Sequence, residues 1–143
     1  MFGQKSVYLA FKAKEFHIRL CQALLTSGYC VGGPFVSESF SARTLEYRGS
    51  TIDALILSPE DYSNGKDPIE FCRSVKAACD RHGIKLVVLV HGNNQHKEPY
   101  VELGLDVFVA EDYTKEVCDT LVERIKQLIG GFRQETPQQR KQL

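Results

Sequence analysis

The sequence predicts a single α/β domain: a parallel sheet with helices wound over both faces. Three observations carry that expectation. Short β-rich runs alternate with helical periodicities five times; two of the runs, "IDALIL" and "IKLVVLV", are continuously apolar; and the clearest helical stretches are apolar on one side only. A strand without polar alternation is one covered on both faces, which places those two runs in the middle of the sheet.

Length and charge narrow the function. A chain of 143 residues, 43% hydrophobic and 25% charged, has the size and composition of one globular domain with its own core. Its 18 basic and 18 acidic residues cancel, so no overall field draws in nucleic acid or an anionic membrane. The start "MFGQKSVYLAFKAKEF" is interrupted by lysines and lacks a small-residue cleavage site, and no apolar run approaches the roughly 18 residues that cross a bilayer. A soluble, cytoplasmic protein is expected. Five cysteines, odd in number and without CxxC spacing, read as reduced; Cys21, Cys72, Cys79 and Cys118 fall in helical patterns as small apolar fillers, and Cys30 lies outside them.

In order, "SVYLAF" is the first strand, and Phe16, Leu20 and Leu24, with Cys21 and Leu25, then recur at helical spacing until "SGY". "CVGGPFVS" is a glycine-interrupted second strand, and "SFSARTLEYRGS" a weak helix stopped at Gly49. The third strand, "IDALILS", runs into a polar loop, "PEDYSNGKD". Asp67 then caps a helix begun by Pro68, with Phe71, Val75 and Ala78 on its apolar face up to His82-Gly83. "IKLVVLV" is the fourth strand; a short helix follows in "GNNQHKEPYVELG", where Pro99 is tolerable only near the start. "LDVFVA" is the fifth strand, and "TKEVCDTLVERIKQLIGG" is a helix with Val117, Leu121, Ile125 and Leu128 on one face, widened by Cys118, Val122 and Ile129. Residues 1–133 form the domain, and 134–143, "QETPQQRKQL", read as a polar disordered tail.

Ligands of such sheets bind beyond the carboxyl ends of the strands. Here those ends are "AFKAKE", "SPEDY", "VHGNN" and "AEDY". The helix before "SGY", the strands "IDALIL" and "IKLVVLV", and the segment "ELGLDVFVAEDY" together resemble the receiver domain of bacterial response regulators over about Ser6 to Leu128. The resemblance implies a flavodoxin-like three-layer sandwich with strand order 2-1-3-4-5. It also matches Gly104 and Asp106 to the family's pattern and puts Phe108 at its aromatic switch position.

The family's reaction needs an aspartate acceptor, two acids that hold Mg²⁺, a Ser or Thr after the fourth strand and a lysine after the fifth. Carried onto this chain, the acidic pair falls on Phe11 and Lys12, the acceptor on Ser58, the fourth-strand position on Val90 with no Ser or Thr from Leu89 to Gly92, and the lysine on Glu111. Asp112 stands where the family has proline. A serine hydroxyl is a poor phosphoryl acceptor without a base, and an ammonium at Lys12 repels the cation. The expectation is therefore a pseudo-receiver that is no enzyme, needs no cofactor, and has Lys12 paired with Glu111 over Ser58.

A rival reading starts from the repeated "EDY". Glu60, Asp61, Glu111 and Asp112 follow two strands of one edge and could hold Mg²⁺, with Asp61 as a displaced acceptor and His91 as a further ligand for a transition metal. His91 and His96 themselves read as loop histidines without ligand spacing. "VYLA" also resembles the opening of nucleoside deoxyribosyltransferases, but "FKAK" replaces the expected glycine-proline. Without a catalytic site, function lies on a surface. In receivers the fourth helix, fifth strand and fifth helix commonly contact partners, which directs attention to Tyr100, Val101, Phe108 and Tyr113, with Tyr100 and Tyr113 expected to be partly exposed and Phe108 packed. The expected partner is a protein, such as a histidine kinase, a regulator or a second copy.

Overall fold

The computed structural model describes residues 4–33, 40–48, 51–92 and 97–130. Strands β1 (Ser6–Ala10), β2 (Cys30–Gly32), β3 (Ala54–Leu57), β4 (Lys85–His91) and β5 (Asp106–Ala110) form one sheet in the order β2-β1-β3-β4-β5, with every neighbouring pair parallel. The helices are α1 (Lys14–Thr26), α2 (Ala42–Arg48), α3 (Pro59–Tyr62), α4 (Pro68–His82), α5 (Glu98–Glu102) and α6 (Lys115–Ile129). This is the doubly wound sandwich, and the strand order, that the sequence leads one to expect.

Strand pleating divides the interior into two cores. Tyr8 and Ala10 of β1, Leu55 and Leu57 of β3, and Val88 and Val90 of β4 enter a core closed by Leu45 of α2 and by Cys72, Val75, Ala78 and Cys79 of α4. The intervening residues Val7, Leu9, Ala54, Ile56, Val87 and Leu89 enter the other, closed by Phe16, Leu20 and Leu24 of α1 and by Cys118, Leu121, Val122 and Ile125 of α6. The buried positions of β1, β3 and β4 thus serve both cores, which is why "IDALIL" and "IKLVVLV" carry no polar alternation.

Caps set the helix boundaries. The Asp67 carboxylate accepts a hydrogen bond from the Ile69 N–H at 2.9 Å, Pro68 occupies the first turn, where its missing N–H costs nothing, and Gly83 leaves α4 at φ +70°. Thr114 accepts from the Val117 N–H at 3.3 Å to begin α6. At the far end, the Tyr29 hydroxyl donates to the Gly130 carbonyl at 2.7 Å, fastening the end of α6 beside α1 and β2.

Several details depart from the sequence reading. The loop "PEDY" is a helical turn, α3, because Pro59 is pre-set for a first helical position. Leu25 is 54% exposed, since it lies one residue past the buried Leu24 and so about 100° around the helix. Phe71 is only half-buried, with Cys72 taking its place in the core. The rest of the second-strand segment (34–37), Ser39, Gly49, His96 and the tail 134–143 lie outside the described residues.

Gly33, just after β2, tests the packing of the sheet edge. A Cβ built there falls 2.6 Å from the Leu9 carbonyl oxygen, a backbone atom that cannot step aside. Gly33→Ala is expected to lower stability by about 1–3 kcal/mol, read as a lower urea midpoint with an unchanged slope.

Candidate functional site at the carboxyl edge of the sheet

The same pleat decides what each strand delivers to its carboxyl end. After β1, Phe11 continues the Val7 and Leu9 series into the α1/α6 core and is 3% exposed. Its ring centroid lies 5.4 Å from Phe16, 5.3 Å from His17 and 6.5 Å from His91. Lys12, the next residue, turns to the opposite face, and its ammonium sits 5.1 Å from the centroid of the Tyr62 ring, within cation–π range.

Ser58 follows β3 and is 2% exposed. Its N–H donates to the Ala10 carbonyl at 2.9 Å, and its carbonyl accepts from the Asp61 N–H at 3.1 Å, closing the turn into α3. That turn aims Asp61 back at β1, where its carboxylate accepts the Lys12 N–H at 2.8 Å. Asp61 therefore serves as a clamp between the β1 and β3 ends.

From β4 the residue that reaches the rim is His91. Val90 points into the α2/α4 core by strand alternation and is 5% exposed. His91 Nδ1 lies 2.9 Å from the Tyr113 hydroxyl, and Nε2 is buried without a hydrogen-bond partner. Tyr113 in turn stacks on Phe16 at 5.0 Å, and its carbonyl accepts from Arg19 Nη1 at 3.0 Å. Phe11, Phe16, His91 and Tyr113 thus form an aromatic and imidazole cluster at the carboxyl edge of the sheet.

Burial governs the titration of this cluster. It lowers the His91 pKa from its ordinary value, partly opposed by the carboxylates of Asp61 and Glu60. Burial likewise lowers His17, against the opposing effect of a backbone hydrogen bond. The Tyr113 phenol is raised by burial and then by Asp61, and that of Tyr62 is pushed up to about 12 by burial, then Asp61 and Tyr8.

The expected Lys12–Glu111 pair is not formed. Their strands are three places apart, about 14 Å at the usual inter-strand spacing, and Tyr62 holds the ammonium nearby. Nor do the "EDY" carboxylates converge: Asp61 is tied to the Lys12 amide, Asp112 accepts from Thr114 Oγ1 at 3.1 Å, and Glu60 and Glu111 face solvent. Among the described residues no group of three or more His, Cys, Asp or Glu side chains is placed to hold a metal ion. A magnesium ion does not fit the rim as built, because Phe11 offers no oxygen and Lys12 brings positive charge.

Of the four surface candidates, Tyr100 is buried at 2% and Phe108 at 7%, Tyr113 is half-buried in the cluster, and only Val101, at 46%, is presented to solvent. Burial pushes the Tyr100 phenol well up. The His91–Tyr113 contact was missed in the sequence, although counting in twos from Val87 through Leu89 reaches His91.

No family model matches the chain, and no curated protein matches it. Solved structures do. A response regulator from Thermotoga maritima is similar at TM-score 0.64 and 19% identity, covering 89% of this chain and 98% of that one. A protein assigned as a response regulator in Chloroflexus aurantiacus J-10-fl is similar at TM-score 0.66 and 19% identity, with the same coverage. A de novo designed Rossmann 2x3 protein is similar at TM-score 0.58 and 18% identity, covering 93% of this chain and 97% of that one. The chain therefore has a response-regulator-like, flavodoxin-type fold, and identity this low speaks to fold alone. No helix among the described residues is long and apolar enough to cross a membrane.

The buried histidines make a pH prediction with a definite sign. His17 and His91 both have folded pKa values lowered below the ordinary 6.5. The unfolded chain then binds more protons between the two values, so stability is full above about 6.5 and is lost as pH falls through the lowered values. Urea denaturation from pH 8 to 5 should show that loss, and His91→Phe should remove part of the slope.

Proposed function

We propose that this protein is a receiver-like signalling module that acts by binding a protein partner and does not carry an aspartyl phosphate. The observation that supports this reading most is Phe11, buried at the carboxyl end of β1 where the family reaction needs an acid. An aromatic ring there removes the ligand oxygen and the water that a hard divalent cation requires. Ser58 supplies a hydroxyl in place of an acceptor carboxylate, and the Lys12 ammonium adds charge of the wrong sign for a metal site. On this reading the chain is not an enzyme and uses no cofactor. Its partner is a protein, such as a histidine kinase, a regulator or a second copy, met through surfaces that include the exposed Val101 of α5.

The second reading keeps phosphorylation and moves it to Asp61. That carboxylate is at the rim, but one of its oxygens is engaged by the Lys12 amide, and among the described residues it belongs to no group of three or more metal-ligating side chains. Incubation with acetyl phosphate and Mg²⁺ followed by intact-mass measurement separates the two. No gain of a phosphoryl mass is expected; a gain that vanishes in Asp61→Asn would establish the rearranged regulator instead.

A further inference from the structure

We propose that His91 and Tyr113 form a pH-sensitive latch, which holds the segment entering α6 against α1 and releases it when His91 takes up a proton. Geometry carries the case. The imidazole is satisfied at Nδ1 alone, by the Tyr113 hydroxyl at 2.9 Å, while Nε2 is buried without a partner. A buried polar atom without a partner is a standing cost, and protonation turns that cost into a buried cation whose Nε2–H has no protein group to donate to.

The surroundings offer the cation little. From the β1–α1 connection comes the Phe11 ring at 6.5 Å; from α1 come Phe16 and His17, both against Phe11, and Arg19, bonded to the Tyr113 carbonyl. From α3 come Asp61, committed to the Lys12 amide, and the solvent-facing Glu60. From the β5–α6 connection comes Tyr113 itself, edge-on to the imidazole at 5.8 Å. Asp61 and Glu60 favour the charged ring, but burial outweighs them. The element that can yield is Tyr113. Swinging its ring off Phe16 opens the imidazole to water on its Nδ1 side and frees the imidazolium from the aromatic wall.

Release is transmitted because of where Tyr113 sits. It directly precedes Thr114, the cap of α6, and Arg19 ties its carbonyl to α1. Those residues adjoin a groove of about 700 Å³ between α1 and α6, lined by Arg19, Lys115, Cys118, Asp119 and Val122 among others. The protonation state of one rim histidine therefore sets the shape of a surface on the α1/α6 face.

The full chain, titrated from pH 8 to 5 by NMR, tests this. Nuclear Overhauser contacts between the Tyr113 and Phe16 rings should be lost, and the Lys115 to Cys118 amides should shift, with the midpoint at which His91 protonates. His17→Gln should keep the transition, and His91→Phe should abolish it. Contacts that persist below the His91 midpoint, or that are lost equally in His91→Phe, would overturn the latch. If His91→Phe does not fold, the wild-type titration still decides, since the two midpoints must coincide.

Discussion

The period of two along a pleated strand is the constraint on which the carboxyl edge depends. It sends Phe11, Ser58 and His91 toward α1 and α6, and Lys12 and Val90 toward α2 and α4. A shift of one residue in β1 would exchange a ring for a charge at the rim. The rim is thus a consequence of how the core is packed, since Val7, Leu9, Val87 and Leu89 fix the phase of the strands that present it.

An aromatic rim and an acidic rim solve one packing problem in opposite ways. Carboxylates crowded at strand ends repel one another and need a bound cation and water to stay ionised. Rings at the same ends close the site by burial, with Phe11 and Phe16 as apolar filler and Tyr113 stacked across Phe16. The first arrangement stores an electrostatic imbalance that phosphorylation can exploit; the second stores none, except at His91. Its orphaned nitrogen is the one polar feature the aromatic packing leaves unresolved among the described residues. Asp61 and Lys12 show the complementary economy on the neighbouring ends, where the carboxylate satisfies a backbone amide and the ammonium rests on a ring.

Fold and edge were legible in the sequence to different depths. Continuous apolar runs identified β3 and β4 as central, and the capping Asp67 and the one-sided apolar face of α6 marked those helices, because each is a local signal. That Phe11, Lys12 and Ser58 follow the first and third strands was readable too, being a matter of residue identity and element order. What failed were statements about direction. The proposed Lys12–Glu111 pair overlooked the two strands that lie between their own. Tyr100 looked like an exposed anchor because α5 is too short for a period to reveal its buried face.

Between the rim and the α1/α6 face the chain is mechanically short. Tyr113 touches His91 with its hydroxyl, Phe16 with its ring and Arg19 with its carbonyl, and the next residue caps a helix fifteen residues long. A side chain so placed cannot move without altering the start of α6, whatever displaces it. In a phosphorylated receiver-like scaffold the displacing event would be new charge arriving at the rim. Here the group poised to acquire charge is the imidazole already inside, so an edge built of rings still has a route from charge to helix.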